Sequence, residues 1–140
     1  MKESPTPASF AFQNHLIRTV TFTLPALNQE NISIEFEPTG EYNTQDGTFK
    51  LILRFMGNYG ERNEHLLIDL VSEGYFKFDQ NISFEEIPEY FFPNSIAILY
   101  PYLRAFITTF TAVANTKALI LPTLNLSSLS KPLKENTVII

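Results

Sequence analysis

The two histidines, His15 and His65, are the first side chains to test for chemistry, because imidazole binds metals and transfers protons near neutral pH. They belong to separate parts of the chain, and the sequence has no cysteine. Neither histidine has a second ligand at the spacing of a known metal site. Both stand where a β-strand is predicted to begin, and a surface or edge histidine is ordinary there. The sequence therefore predicts no metal site.

No other residue has the pattern of a catalytic group. Nucleophilic catalysis needs a hydroxyl, an imidazole and a carboxylate together, and a G-x-S-x-G turn would mark the hydroxyl. The sequence has no such turn, and its five glycines are too scattered for a phosphate-binding loop. The segment 85–89 holds three glutamates around Pro88, a composition typical of a solvated connection rather than a catalytic carboxylate pair. We therefore predict that the protein is not an enzyme and has no cofactor.

The aromatic side chains are more informative. The chain has 13 Phe and 6 Tyr but no Trp. Core packing accounts for any one of them, but a domain of this size has difficulty burying them all. The excess predicts an interface, a binding groove, or both. The densest group consists of Phe76, Phe78, Tyr90, Phe91, Phe92, Tyr100, Tyr102, Phe106 and Phe110.

Composition limits the class of partner. The chain has 140 residues, the length of one domain, and a formal net charge of −5 from 10 basic and 15 acidic side chains. Lys and Arg form no cluster, so a nucleic-acid partner is not expected. The first residues lack the apolar stretch of a signal peptide, and no apolar run suggests a membrane span. We therefore expect a cytoplasmic protein without membrane insertion.

Alternation with a period of two predicts four strands. In the first, Leu16, Val20 and Phe22 share one face, which Arg18 interrupts. Gly74 lies within the fourth strand and indicates a bulge or bend there. Polar turns without intervening helices predict an antiparallel arrangement. The predicted strands cover 16–24, 32–37, 49–56 and 65–78.

The spacing changes to that of a helix after Asn94, with apolar residues every three or four positions through Val113. We predict a helix over 95–114 with Pro101 in its first turn, where the missing amide hydrogen has no cost. An extended apolar segment, 118–126, follows, and 127–140 forms a short polar tail. Residues 1–9 are predicted to be flexible. The whole chain, 1–140, is then one α+β domain.

The segment PNSIAILYPYLR at 93–104 resembles the first helix of the SecB family of protein-export chaperones. Three other segments agree with the family in order and spacing, so the resemblance extends from about residue 10 to residue 126. They are 18–22, followed by Pro25, for the first strand; 70–76 for the fourth strand; and 121–126 for the extended segment after the helix. The resemblance implies a SecB-like fold: a four-stranded antiparallel sheet, meander or Greek-key-like, packed with one long helix.

The same resemblance implies a cytosolic, ATP-independent holdase. It would assemble as a homotetramer, a dimer of dimers, and hold unfolded polypeptides, possibly preproteins for export, in aromatic-lined grooves. Together with the aromatic cluster, it predicts two sets of residues. The polypeptide-binding set is Tyr75, Phe76, Phe78, Tyr90, Phe91, Phe92, Leu119, Leu121 and Leu124. The oligomer-interface set is Val20, Phe22, Tyr100, Tyr102, Phe106 and Phe110.

Two departures from the family and two other functions stay open. The zinc-binding tail that engages the SecA motor has no counterpart in a chain without cysteine, so an interaction with SecA is left open. The family's second long helix is missing or reduced in 127–140. One alternative function is a dedicated partner protein, such as a toxin–antitoxin chaperone that recognises one segment by strand addition. Another is a carrier of a small apolar ligand on the sheet; a hydrolase is the least favoured.

Overall fold

The computed structural model of the protein describes residues 9–23, 32–62, 64–114, 118–121 and 123–140. The predicted flexible segment therefore lies outside the described residues, apart from Ser9. The described chain forms a sheet, one long helix and one short helix, with 3-10 turns at Phe84–Glu86 and Ser127–Leu129. The elements are β1 (Phe10–Phe22), β2 (Ile32–Asn43), β3 (Thr48–Tyr59), β4 (His65–Phe78), α1 (Phe91–Val113), α2 (Ser130–Glu135) and β5 (Thr137–Ile139).

The sheet has five strands in the order β1-β4-β3-β2-β5. Strands β2, β3 and β4 are antiparallel neighbours, and β1 lies antiparallel beside β4, which gives a Greek-key-like arrangement. The predicted α+β class is confirmed, but the expectation of a four-stranded, purely antiparallel sheet is wrong. The C-terminal residues add β5 parallel to β2. The Gly40 amide donates to the Asn136 carbonyl (3.3 Å) and the Ile140 amide to the Tyr42 carbonyl (2.8 Å).

Strand β1 is longer than predicted and contains two register shifts, one between Phe12 and Asn14 and one between Ile17 and Thr19. Ile17 pairs with Ser72 and Thr19 pairs with Val71, which leaves Arg18 as an extra residue. A bulge of this kind reverses the alternation of faces. Ile17 and Val20 therefore both pack against the core, and the prediction that residue 16 shares the face of Val20 is wrong.

Strand β2 runs through Pro38, where the sequence predicted a turn. The Gly40 amide points away from β3 towards β5, and alternation points the Pro38 nitrogen the same way. That side of Pro38 is the edge of the sheet, so the amide hydrogen that proline lacks is not needed for a hydrogen bond between strands.

Gly74 does not mark a bulge, because its pairing with Leu51 continues the ladder without a register shift. A Cβ atom at Gly74 would lie 3.3 Å from Leu99 Cδ1. The glycine therefore allows α1 to approach the sheet closely.

Helix α1 begins at Phe91 rather than at residue 95. Pro101 consequently lies in the third turn, and its predicted place in the first turn is wrong; Pro93 occupies the first turn. One face of α1 packs on the sheet. The core consists of fully buried residues from both layers, among them Phe49, Leu51, Leu53, Phe55, Ile68, Leu70, Phe76, Ile96, Leu99, Leu103 and Ile107.

By length and composition alone, α1 is apolar enough to cross a membrane. The expectation that no apolar run suggests a span is therefore wrong. The helix carries one charged residue, Arg104, in 23 positions. Its buried face packs on the sheet through Leu99, Leu103 and Ile107, and the core helix of a globular protein has the same features.

The tail folds onto the first turn of α1 and onto β2. Leu133 of α2 is fully buried. The Lys134 ammonium pairs with the Glu89 carboxylate and lies 5.8 Å from the centre of the Phe92 ring. The second helix is thus reduced to six residues, as the sequence predicts, but the tail as a whole is an integral part of the fold.

Candidate functional site

Phe91 is the centre of a buried aromatic cluster where α1 begins. Its ring centre lies 4.8 Å from that of Phe49, and 4.9 Å from those of Phe10 and Phe78. Edge-to-face and tilted pairs at these distances stabilise a core. Phe10, which belongs to β1, also contacts Phe76. This cluster is part of the core of the protomer.

Five predicted polypeptide-binding residues are therefore buried, and the expectation that their side chains are partly uncovered is wrong. The first residues of β1 and the folded tail cover this end of the molecule, through Phe10 and Lys134. The sequence suggested docking of Phe10, but it did not reveal the folded tail as a cover. The five residues are Phe76, Phe78, Phe91, Phe92 and Leu121.

The other four predicted polypeptide-binding residues do not form one surface. Tyr90 is exposed at the start of α1, and Leu119 and Leu124 are half-buried after its end. Tyr75 lies on the opposite face of the sheet, because it alternates with the inward-facing Phe76. The binding role of these residues stays a prediction.

An aromatic surface runs along the line where β1 meets α1. The Tyr102 ring stacks on His15 at 4.1 Å and on Phe12 at 5.6 Å. Further along, Phe110 contacts Phe22 at 5.2 Å and Phe106 at 5.6 Å. We call this surface the aromatic seam; it consists of Phe12, His15, Phe22, Tyr102, Phe106 and Phe110.

The aromatic seam ends in an open hollow of about 360 Å³ beside Val113, which is 80% exposed. Five of the six predicted interface residues lie in this region. Val20 is on β1, and the seam contains Phe22, Tyr102, Phe106 and Phe110. Tyr100 lies outside this region, because it turns towards Phe36 of β2 and is buried there. The interface role of all six residues stays a prediction.

The outward face of α1 has an unusual composition. Its exposed positions include Ala97, Pro101, Ala105 and Thr109, and none of them is charged. A helix on the surface of a soluble protein ordinarily presents charged side chains to water. An uncharged, uncovered face of this kind is typical of a surface that a partner covers.

A groove separates α1 from the segment 123–127, and we call it the helix groove. Its volume is about 400 Å³. The segment before it is tied to α1, because the Thr108 hydroxyl donates to the Leu119 carbonyl (3.0 Å) and the Leu119 amide donates to Thr111 Oγ1 (2.8 Å). Burial raises the pKa of Tyr100 at the groove wall. The groove is lined by Pro93, Asn94, Ala97, Tyr100, Pro101 and Arg104 from α1, and by Thr123, Leu124, Asn125, Leu126 and Ser127.

The face of the sheet opposite α1 is charged. The Glu73 carboxylate accepts hydrogen bonds from the Arg18 guanidinium (2.7 Å) and the Tyr75 hydroxyl (2.6 Å), and Lys50 lies 3.5 Å away. The hydrogen bonds from Arg18 lower the pKa of Glu73 to about 2, against the opposing effect of burial. A similar pair joins Arg54 to Asp69 at 2.7 Å. Because α1 covers the other face, neither face of the described sheet presents an open apolar surface, which argues against the alternative of a small-ligand carrier.

No metal-binding cluster occurs in the part of the chain that the structure describes. His65 stacks on Tyr59 and lies near Glu64, while His15 Nδ1 is buried without a hydrogen-bond partner among the described residues. That the protein has no metal site and no enzymatic activity stays a prediction.

The sequence interpretation missed the helix groove and the most exposed apolar residues. Ile120 is 70% exposed between the half-buried Leu119 and the buried Leu121. One signal in the sequence could have revealed the surface: the stretch 91–113 has a helical period, yet a single charge. Such a stretch cannot present an ordinary charged face to water.

A Greek-key-like sheet with one long helix on a single face defines a SecB-like fold, and the short second helix is a departure from it. Among solved structures, the chain is similar to a SecB-like chaperone of Mycobacterium tuberculosis, in complex with a ChAD peptide from the HigA1 antitoxin. The TM-score is 0.69, with 16% identity over 82% of this chain and 87% of that chain. The SecB-like fold predicted from the sequence is therefore confirmed.

Sequence comparison adds an archaeal relative. An uncharacterized protein of Methanocaldococcus jannaschii is 24% identical over 141 residues, which cover 95% of this chain and 90% of that protein. No family model matches the chain.

Proposed function

We propose that the protein is an ATP-independent chaperone that binds extended polypeptide segments in the helix groove. The observation that carries the proposal is the outward side of α1, where uncharged residues face water and border the groove. An extended polypeptide matches this surface, because it brings apolar side chains together with backbone groups that can bond to Asn94 and to Asn125 Nδ2. Asn125 Oδ1 already accepts a hydrogen bond from the Ser127 amide (3.1 Å).

The size of the groove favours a dedicated partner over a general holdase. A volume of about 400 Å³ holds a few side chains, not a long unfolded chain. The SecB-like chaperone of M. tuberculosis is in complex with a peptide from an antitoxin, and recognition of one segment of one partner is the corresponding function here. A general holdase for preproteins would need additional grooves on neighbouring subunits.

We propose self-association as a separate function of the aromatic seam. The seam lies beside the outer edge of β1, which pairs with no strand in the described part of the chain, so that backbone donors and acceptors there could pair with a second subunit. A homotetramer built as a dimer of dimers is the assembly expected for this fold in the cytoplasm. Native mass spectrometry should give a multiple of the 16.0 kDa chain; a protomer mass at micromolar concentration contradicts this proposal.

Suppression of aggregation tests the client proposal. The purified protein, without nucleotide, should slow the aggregation of a chemically unfolded client measured by light scattering. Ala97 is exposed in the groove, so Ala97→Glu places a charge there without emptying the core. We expect that variant to lose most of the protection while its Tm stays close to that of the wild type.

Ala11→Glu is the matched control. Ala11 is also exposed and pairs with Lys77 on β4, away from the groove. This control should protect the client as the wild type does. Equal protection by both variants would show that clients bind elsewhere, and no protection by the wild type would reject chaperone activity towards that client.

A further inference from the structure

Arg104 differs from the other arginines that occupy secondary structure. Arg18 donates to Glu73 at 2.7 Å and Arg54 donates to Asp69 at 2.7 Å, both on the charged face of the sheet. Arg104 is half-buried at the wall of the helix groove. Within the part of the chain that the structure describes, no residue forms a hydrogen bond or ion pair with its side chain.

A half-buried guanidinium without an acceptor raises the free energy of the folded state. Partial burial removes some of the water around the guanidinium, and no carboxylate of the described chain compensates. The charge of Arg104 acts on the nearby Tyr100 hydroxyl: burial raises the pKa of Tyr100, and Arg104 opposes that increase. The groove is therefore mostly apolar and uncharged, with one positive site in its wall.

We propose that the helix groove selects an extended peptide segment in which an acidic side chain lies next to an apolar one, and that Arg104 binds the carboxylate. This inference rests on the proposed function and names the class of segment bound. The planar guanidinium presents paired donors that match a carboxylate, while Asn94 and the Nδ2 group of Asn125, on the two walls, are suited to the peptide backbone.

The selection is local rather than a general preference for acidic partners. With a net charge of −5, the chain as a whole repels acidic polypeptides at long range. An acidic side chain is therefore favoured at the one position that meets Arg104, and a lysine at that position is disfavoured because it places two cations together.

A matched pair of peptides tests this inference. Both are acetylated, amidated, fluorescein-labelled peptides of alternating Leu and Ser, and they differ at one central position, which is Glu or Gln. Fluorescence anisotropy should show about tenfold tighter binding of the Glu peptide to the wild type, because the Gln peptide forms only a weaker, uncharged hydrogen bond with Arg104. Salt should reduce this difference.

Arg104→Gln should abolish the difference between the two peptides. Arg62→Gln is the control, because Arg62 is exposed in the turn between β3 and β4, and it should preserve the difference. A third peptide, with Gln at the central position and a free C-terminus, tests the other source of a carboxylate. If only that peptide binds more tightly through Arg104, the groove recognises chain ends and the proposal is wrong.

Two failures are distinguishable. If both peptides bind equally to the wild type, or if Arg104→Gln keeps the Glu preference, the role of Arg104 is wrong and the proposed function stands. If neither peptide binds and clients are not protected from aggregation, the proposed function fails and this inference fails with it.

Discussion

The two edges of the sheet are built differently. On one side, β5 covers β2 at Gly40–Tyr42, and Pro38 interrupts the donors of the remaining edge. On the other side, β1 has 13 residues, contains no proline, and its outer edge pairs with no strand in the described part of the chain. Proteins ordinarily protect both edges, because an open edge pairs with other chains. We call the β2–β5 side, where three residues of β2 are covered, the closed edge, and the β1 side, which pairs with no strand among the described residues, the open edge.

The residues around the two edges also differ: those at the closed edge are buried and anchored, whereas those at the open edge are partly exposed. The closed edge is anchored by Leu133, which is fully buried, and by a hydrogen bond from the Thr137 hydroxyl to the Leu133 carbonyl (2.7 Å). The open edge adjoins the aromatic seam, where Tyr102 is 42% exposed. The tail of the chain thus covers part of the sheet at one side, and we propose that a second molecule pairs with the other side.

Leu133→Ala should have the largest effect, because it removes the anchor of the closed edge. Replacing a fully buried Leu by Ala costs about 3 kcal/mol through lost burial and the cavity that remains. Urea denaturation should show this loss in the free energy of unfolding. Leu66→Ala, at a residue that is 37% exposed on β4, is the control and should cost less than about 1 kcal/mol. Equal costs would mean that the tail does not stabilise the fold.

The attachment of the open edge should depend on pH. Arg18 of β1 lowers the pKa of Glu73 on β4 to about 2, from an ordinary value of 4.5. The folded state therefore binds fewer protons than the unfolded state between these values. The contribution, on the order of 2 kcal/mol, is complete above pH 4.5 and is lost as the pH falls towards 2.

Glu73→Gln should accordingly flatten the acid limb of stability against pH, measured by urea denaturation at a series of pH values. Glu85→Gln, at an exposed carboxylate, should leave that limb unchanged. A wild-type acid limb that survives Glu73→Gln would assign the acid sensitivity to other groups.

The sequence predicted the elements better than their ends. A period of two identified four strands, and a period of 3.6 identified α1, because burial of one face imposes these patterns over many residues. The bulge at Arg18 has no comparable signal, since one extra residue reverses the faces without changing residue types. Strand β5 was missed because three residues are too few to show a period.

The candidate site was predicted less well, for a physical reason. Composition shows that there are many aromatic residues but not which of them face the core, so Phe91 and Phe76 were assigned to a surface although they are fully buried. The helix groove depends on how 123–127 lies against α1, a contact between separate segments that no local pattern encodes. Leu124, which was predicted to bind polypeptide, does line the helix groove, and the uncharged outward face of α1 is also visible in the sequence.

Gly40→Ala should have a smaller effect, confined to the closed edge. A Cβ atom there would lie 2.6 Å from Phe49 Cζ and 2.7 Å from Thr137 Oγ1, so one of these side chains must move. We expect a loss of about 1 kcal/mol in the free energy of unfolding. The Ile140 amide, which donates to the Tyr42 carbonyl, should exchange its hydrogen faster. Unchanged exchange would mean that β5 does not depend on this close approach.

The smallest effect on stability should come from a pair of surface substitutions that separates the two edges most directly. Val113 beside the aromatic seam is 80% exposed and Ile139 of β5 is 51% exposed, so glutamate at either position should change the free energy of unfolding by less than about 0.5 kcal/mol.

The two substitutions should differ in their effects on assembly. Val113→Glu places a charge in the surface that we assign to self-association, where an unpaired charge must lose its water, and the native mass should shift towards 16.0 kDa. Ile139→Glu lies at the edge that the tail already closes, so the native mass should equal that of the wild type. If Ile139→Glu dissociates the assembly and Val113→Glu does not, subunits associate through β5, and the assignment of the open and closed edges is reversed.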